Sequence, residues 1–545
     1  MALLHLYRVL ILFLSFQANA TPYELYGIAD RLELEGDYKG AAEYYMRAVQ
    51  ADSTSPQLYT ALTNVLYRLG RFDEGIAWAE KGLRIFPDYS RFYISIATGY
   101  LGKMDFKQSI KYYRAAVTAG EHTEDSYLAI ATLYEIMSDI PQARQCLLDV
   151  PETDRTSAIY FQLGTLSGKL NDHGAAVEYY RKSCELDTTD LRARLGLATG
   201  FDYLGIKDSS IYYYEQTVPI DSSYTIRKRL VDLYSDTDQY EKLVRVAQDI
   251  IAADHFEDAV RRSLGFAYYK LGDTTAALDQ FLYASRLNPN DTYSRFYVGK
   301  IHLEHGRYDA ARAEIETALR INPDFVELWI YLGFVLIDLR QFKTARTAFE
   351  EAVYRGADAA ETHYLLGFCF ELDDEPGLAY HQYRIAVKRD PKNLSYLTAL
   401  ANLCDRSGRL EEAFLCFQTI MAIDTLNSTA LNYVGFTLAD RAESLEYSLN
   451  LVERALAIEP DNGYIIDSRG WIYYRLGRYE EALADLQRAL ELVEDAVILE
   501  HLGDVQAAMN DREQALLNYL KAFGLDPKNR KLLKKIRAMQ NPADQ

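Results

Sequence analysis

Tryptophan and cysteine are scarce in this chain of 545 residues, with 3 Trp and 5 Cys against 44 Tyr. The five thiols are Cys146, Cys184, Cys369, Cys404 and Cys416, and none forms a C-x-x-C pair, which removes the usual zinc and thioredoxin-like spacings. Each falls within an amphipathic helical pattern, where a small buried hydrophobe is the expectation. A disulfide between Cys369 and Cys404, 35 residues apart, is conceivable; the odd total leaves at least one thiol free. No G-x-x-x-x-G-K-[ST] loop is present to cradle phosphates. His302 and His305 share a helix, but no second ligand pair accompanies them, so no metal site or other cofactor is expected. Beyond residue 20 no apolar run approaches the roughly 20 residues needed to cross a bilayer.

Positive charge is also short. Lys and Arg number 59 against 79 Asp and Glu, a formal charge of −20. Such a surface opposes phosphate backbones and anionic lipid, so nucleic-acid and peripheral-membrane binding are not expected. Apolar residues make up 49% and charged residues 25%, a composition that folds.

What the sequence does have begins at its amino end. Arg8 precedes the apolar run Val9–Phe16, and Ala18-Asn19-Ala20 supplies small residues for a cleavage enzyme. This is the outline of a secretory signal peptide over residues 1–20, with an uncleaved membrane anchor as the alternative, for which the run after Arg8 is shorter than the roughly 20 apolar residues a span needs. The expected location is therefore outside the cytoplasm, periplasmic or associated with the outer envelope, without membrane insertion once the signal is removed.

From residue 22 a period of 34 takes over. Units start at 22, 56, 90, 124, 157, 191, 224, 258, 292, 326, 360, 394, 428, 463 and 496. Their eighth position is Gly or Ala in thirteen of fifteen, among them Ala29, Gly164, Gly265, Gly333, Gly367, Gly470 and Gly503. Average usage would place only about two or three there. Position 20 is small in all units but one, as at Ala41, Gly75, Ser109 and Ala345, and position 32 is proline in six, such as Pro87, Pro289 and Pro527. Unit thirteen needs one extra turn residue to bring Pro460 into register. Two apolar stripes per unit at helical spacing serve a partner helix and the next unit. Gly70-Arg71, Gly272-Asp273 and Gly477-Arg478 mark the ends of first helices, where glycine tolerates the left-handed conformation.

On these residues the chain resembles the tetratricopeptide repeat (TPR) family, whose unit is a helix–turn–helix with small residues at positions 8, 20 and 27. The resemblance covers residues 22 to 529 and implies an all-α fold, a right-handed α-solenoid superhelix of about fifteen repeats. One unit alone cannot offset about 1–2 kcal/mol of backbone entropy per residue, so stability must come from stacking neighbours. The expected organisation is an amino-terminal array over 22–221 (units one to six), a divergent unit over 222–257, a carboxy-terminal array over 258–529 and a solvating cap with tail over 530–545. Unit seven is the weak link, because Val231 and Leu243 stand where small residues belong. A change in superhelical geometry is expected near 218–257, with limited proteolysis there as its sign.

In TPR structures the first helices line the concave face, and the resemblance implies that positions 2, 5, 9 and 12 point into it. Position 9 holds Phe266, Phe334, Phe368, Phe436 and Trp471, with Tyr269, Phe296, Ile330, Tyr364, Asn432, Asp467 and Tyr474 around them. Aromatic rows in a groove suit recognition of a protein or peptide partner. Two arrangements are open: rings facing the groove, or rings packed laterally between adjacent first helices. The amino-terminal half offers a polar groove instead, with Thr60, Asn64, Thr98, Thr132, Thr165 and Thr199. The lysine-and-asparagine set that clamps a terminal carboxylate in one TPR subclass does not occur here.

Units thirteen to fifteen are more specifically similar to bacterial envelope TPR proteins. Asn432, Gly435 and Asp440, then Asp467-Ser468 with Gly470-Trp471, then His501-Leu502-Gly503-Asp504 carry that likeness. The group includes lipoprotein adaptors that present substrates to periplasmic proteases; this chain lacks their lipidation cysteine. Ser468, His501 and Asp467 could be imagined as nucleophile, base and orienter, but all three fit ordinary repeat positions. The sequence therefore reads as a non-enzymatic scaffold or adaptor of the bacterial envelope, with a structural subunit of an envelope or secretion assembly as the alternative.

Overall fold

The computed structural model describes residues 20–120, 124–253 and 256–540. The segment expected to be a signal peptide lies outside these except for Ala20. Among the described residues there are 31 α-helices, one short 3-10 helix at Glu152–Asp154 and no strand. The fold is an α-solenoid of paired helices. Fourteen of the fifteen expected unit starts coincide with the first residue of a helix; the exception, at residue 90, precedes its helix Arg91–Gly102 by one position.

The turn inside each pair explains that regularity. Position 15 of every repeat has positive φ: seven are glycines, such as Gly70 and Gly477, and eight are not, including Met104, Arg340 and Asn510. The left-handed residue lets the chain close the helix end with two bonds. In repeat two, Gly70 N–H donates to the Tyr67 carbonyl at 2.9 Å and Arg71 N–H to the Leu66 carbonyl at 2.9 Å. Arg340 and Gln341 close the turn of repeat ten in the same way, at 2.9 and 2.8 Å. Repeat thirteen carries its extra residue here, with both Ala442 and Ser444 left-handed before the helix Leu445–Ile458. Aspartates then cap many second helices: Asp37, Asp105, Asp139, Asp172 and Asp511 each accept from an N–H in the first turn.

Packing within a repeat rests on a ring over a small residue. Position 24 of the second helix is aromatic in most units, and it lies directly on position 8 of the first. A Cβ added at Gly333 would sit 2.4 Å from the Phe349 ring, and one at Gly367 or Gly503 2.5 Å from Tyr383 or Tyr519. These rings are essentially sealed from water. The tyrosines also reach past the glycine to a polar group beyond it. Tyr383 Oη donates to Glu371 at 2.8 Å, Tyr519 Oη to Asp504 at 2.7 Å and Tyr45 Oη to Glu33 at 3.2 Å. Burial, with the neighbouring carboxylate, pushes all three phenols above their ordinary range. Much of the tyrosine excess thus has a structural cause: a large ring fills the hairpin and its hydroxyl is satisfied at the far side.

The chain divides into two compact units, one ending at Asp273 and the other beginning at Thr274. The first holds repeats one to seven and the first helix of repeat eight. Its loosest junction between successive helices is that of Lys207–Thr217 with Tyr224–Asp236, entering repeat seven. Val231 and Leu243 are fully buried there, in a cluster with Ile226, Leu230, Val260 and Leu264. The second unit holds the second helix of repeat eight, repeats nine to fifteen and the terminal helix Arg530–Gln540, which buries Leu532 and Ile536 against the last repeat. All five cysteines are free thiols, and burial pushes Cys146 and Cys369 up to about 12 and Cys404 and Cys416 up to about 11.

Candidate partner-binding face

In each unit the first helices form the inner face. Ser428–Asp440 packs directly on Gly463–Arg475, Gly463–Arg475 on Ala496–Ala508, and Pro56–Arg68 on Arg91–Gly102; no two second helices meet to that extent. Helices on the inside of a curved stack are crowded, and those on the outside are splayed. Position 9 stands one residue beyond the small residue that receives the ring from the second helix.

The five position-9 rings are all half-buried, neither sealed nor free. In the first unit Phe266 meets Tyr240 edge-on at 6.0 Å, with Lys270 over its face, and Tyr269 is half-buried one turn away. In the second unit the row reads Lys300, Phe334, Phe368, Asn402, Phe436, Trp471 and Asp504. Asn402 is exposed, so it parts the rings into two patches.

The first patch spans repeats ten and eleven. Phe334 stands edge-on to Phe349 at 5.9 Å and to Tyr331 at 6.0 Å, which fixes one side of the ring. Phe368 makes no ring pair among the described residues and belongs to none of the buried clusters. Ile330 is half-buried beside Phe334, and Tyr364 lies against Tyr383 at 5.7 Å and Tyr396 at 5.0 Å. Phe296 does not share this setting. It is 7% exposed, wedged among Tyr297, Phe325 and Tyr331, and is core rather than groove because position 5 of repeat nine turns toward the following repeat.

The second patch, over repeats thirteen to fifteen, is organised by a histidine. His501 stacks on Trp471 at 4.2 Å, lies 6.2 Å from Phe436, and hydrogen-bonds through Nδ1 to Asp467 Oδ1 at 2.8 Å. Trp471 in turn stacks on Tyr474 at 5.0 Å. Asp467 is 6% exposed with its carboxylate committed to His501, so it holds the patch together and is not a lining residue. Asn432 is half-buried; neither its Oδ1 nor Trp471 Nε1 has a hydrogen-bond partner among the described residues. Ser468 Oγ donates to its own helix at Tyr464 O, 3.0 Å away, and therefore does not complete a triad. Replacing His501 by alanine removes the imidazole from between two rings and strands a buried carboxylate. We expect a loss of about 3 kcal/mol or more from the carboxy-terminal repeats, read as earlier amide exchange across residues 463–525; exchange unchanged from the parent would refute the role.

Ahead of Phe266, position 9 of repeats three to six in the first unit is threonine, and these hydroxyls, with that of Thr60, are already satisfied. Thr60, Thr98, Thr132, Thr165 and Thr199 each donate their hydroxyl to the carbonyl four residues earlier, at 2.9 to 3.1 Å. They offer a partner few unmet donors.

A stack of helical hairpins with such an inner face defines a class of protein, the repeat scaffold. Tetratricopeptide repeat models match residues 32–97 and 302–367, 157–190 and 496–529, 262–324, and 437–499, together more than half of the sequence. The chain belongs to the tetratricopeptide repeat family, whose members generally mediate protein–protein interaction. Among curated proteins it is similar to the TPR repeat-containing protein PA4667 of Pseudomonas aeruginosa, 30% identical over 132 residues, 24% of this chain and 22% of that one. It is 26% identical to human Superkiller complex protein 3 over 276 residues, 47% of this chain and 17% of that one. The TPR repeat-containing protein MJ1428 of Methanocaldococcus jannaschii is 20% identical over 499 residues, 89% of this chain and 73% of that one. The chain thus spans about a fifth of the length of the first two relatives. Among solved structures, the APC/C hetero-tetramer Cut9-Hcn1 aligns over 90% of this chain and 97% of that one, at 13% identity and a TM-score of 0.33.

Proposed function

We propose that this protein is a non-enzymatic scaffold or adaptor of the bacterial envelope that holds a polypeptide partner against the inner face of its second unit. The observation that carries this is the contrast between the position-9 rings of the second unit and the position-9 threonines of repeats three to six. Half-buried rings at Phe334, Phe368, Phe436 and Trp471 occupy the positions that satisfied threonines hold in the first unit. Rings on an inner face give up apolar area to water unless something covers them, and a helix or extended segment laid along the stack would cover successive rings. Curated relatives such as Superkiller complex protein 3 and Anaphase-promoting complex subunit 7 are by name parts of complexes, in keeping with a scaffold. The signal-like first twenty residues support export.

The test is a photo-cross-linkable amino acid placed at Phe368 and, separately, at Thr132 in the native cell. The Phe368 probe should capture a discrete polypeptide, identified by mass spectrometry, that the Thr132 probe does not. Equal capture from both positions would defeat the groove reading and favour a structural subunit contacting neighbours all along its length. Sequencing the mature amino terminus tests export: Thr21 is the expected first residue, and a retained Met1 in a cytoplasmic fraction would exclude it.

A further inference from the structure

The terminal helix carries charge that its capping role does not use. Its apolar side rests on the last repeat, with Leu532 and Ile536 buried and Leu533 and Met539 half-buried, and Asn529 caps its amino end by accepting from Leu532 N–H at 3.0 Å. Lys535 is also part of the cap, bridging Glu500 at 2.7 Å and Asp504 at 2.6 Å. The remaining cations, Lys528, Arg530, Lys531, Lys534 and Arg537, are exposed and make no ion pair among the described residues. Arg530, Lys534 and Arg537 follow one another at helical spacing, so they form a stripe on the side facing away from the solenoid.

Helix stability explains only Arg537, which stands in the last turn where the helix dipole favours a cation. Arg530 and Lys531 occupy the first turn, where the helix dipole disfavours cations, and no acidic residue stands there. Solubility does not explain the stripe, because a chain of charge −20 is kept apart from its copies by negative charge. Local excess of the opposite sign, at the end of an acidic stack, is a surface matched to an acidic ligand.

We infer that this end of the protein is a second interaction surface, separate from the aromatic inner face, and that it takes an acidic segment of another polypeptide. The size of the stripe selects that class. An 11-residue helix is about 16 Å long, the reach of a short acidic segment. A bilayer or a nucleic acid presents negative charge far beyond that length, and within a Debye length of about 8 Å it would also meet the acidic repeats. Leu532 and Ile536 are taken up by the last repeat and cannot serve as a lipid-inserting face.

The experiment uses the full mature chain and a fluorescein-labelled polyglutamate peptide, followed by fluorescence anisotropy. Binding should be present at about 50 mM salt and largely lost at about 300 mM. Reversing the stripe with Arg530→Glu, Lys531→Glu, Lys534→Glu and Arg537→Glu should weaken it about tenfold or more, since four attractive charges become four repelling ones. The same reversal at Lys39, Lys107, Lys343 and Lys392, exposed on other repeats, should change it less than about twofold. Should four carboxylates loosen the helix, the four-glutamine variant replaces them, and circular dichroism confirms that it is folded. Peptide binding that is absent from the parent, or equal in the stripe variant and the distant control, overturns the assignment. Stripe-dependent binding to phosphatidylserine vesicles or single-stranded DNA with none to the peptide overturns the polypeptide class.

Discussion

Replacing Phe334 and Phe368 together by alanine is expected to cut recovery of the partner at least about tenfold while leaving the solenoid folded. Each ring is half-buried at position 9 of its repeat, and a well-packed aromatic anchor contributes about 2 kcal/mol or more to a protein interface. Two anchors at equivalent positions of neighbouring repeats would engage one continuous ligand, so their loss is felt together. Phe334 also braces Phe349, and its removal should lower the thermal midpoint modestly; Phe368 has no such partner and should barely move it. The comparison is the double change Thr98→Ala and Thr132→Ala, whose hydroxyls already serve their own helices and whose loss should not affect recovery. A folded Phe334/Phe368 variant that still brings down the cross-linked partner in full would show that the rings are packing and nothing more.

The second large effect concerns stability. Gly367→Val should destabilise the second unit by about 3 kcal/mol or more, because overpacking a filled core costs about 1–3 kcal/mol per modest insertion and valine adds more than one methyl group. The Cβ alone would lie 2.5 Å from the Tyr383 ring, and that ring cannot swing away: it is 1% exposed and its hydroxyl is held by Glu371. Gly27→Ala should have the opposite sign. Gly27 lies inside the helix Pro22–Leu34 with nothing within 4 Å of an added Cβ, so alanine simply removes a flexible residue, a gain of about 0.5–1 kcal/mol. Amide exchange resolved by repeat is the right measurement, since long arrays do not unfold in one step. Two glycine replacements with the same sign would show that position 8 is not the close-approach point described here.

The 34-residue period alone places the helix starts to within a residue, because each hairpin repeats the same small residues at contact points and the same stop signals. The extra turn residue of repeat thirteen is visible in the sequence as a slipped proline. The left-handed turn is legible only where glycine marks it; Met104, Ser138 and Arg340 adopt it with no local signal, forced there by two helices that must be antiparallel and close. Phe296 is wrongly assigned to the groove by its position number, which it shares with half-buried residues such as Ile330 and Tyr364. Phe325, at the end of its own repeat, and Tyr331, in the next one, decide that it is core.

The pairing of His501 with Asp467 has no signature in the sequence beyond the presence of the two residues. They lie one repeat apart and meet only because successive first helices crowd on the inner side of the stack. The sequence by itself determined the hairpin, its length, its turn and its number of copies, since these depend on local backbone preference and on contacts within about one period. The tertiary structure decided which rings are half-open, which carboxylates are held and which cations are left unpaired. Those properties depend on how closely neighbouring repeats approach, and a periodic code repeats its contact residues without stating that distance.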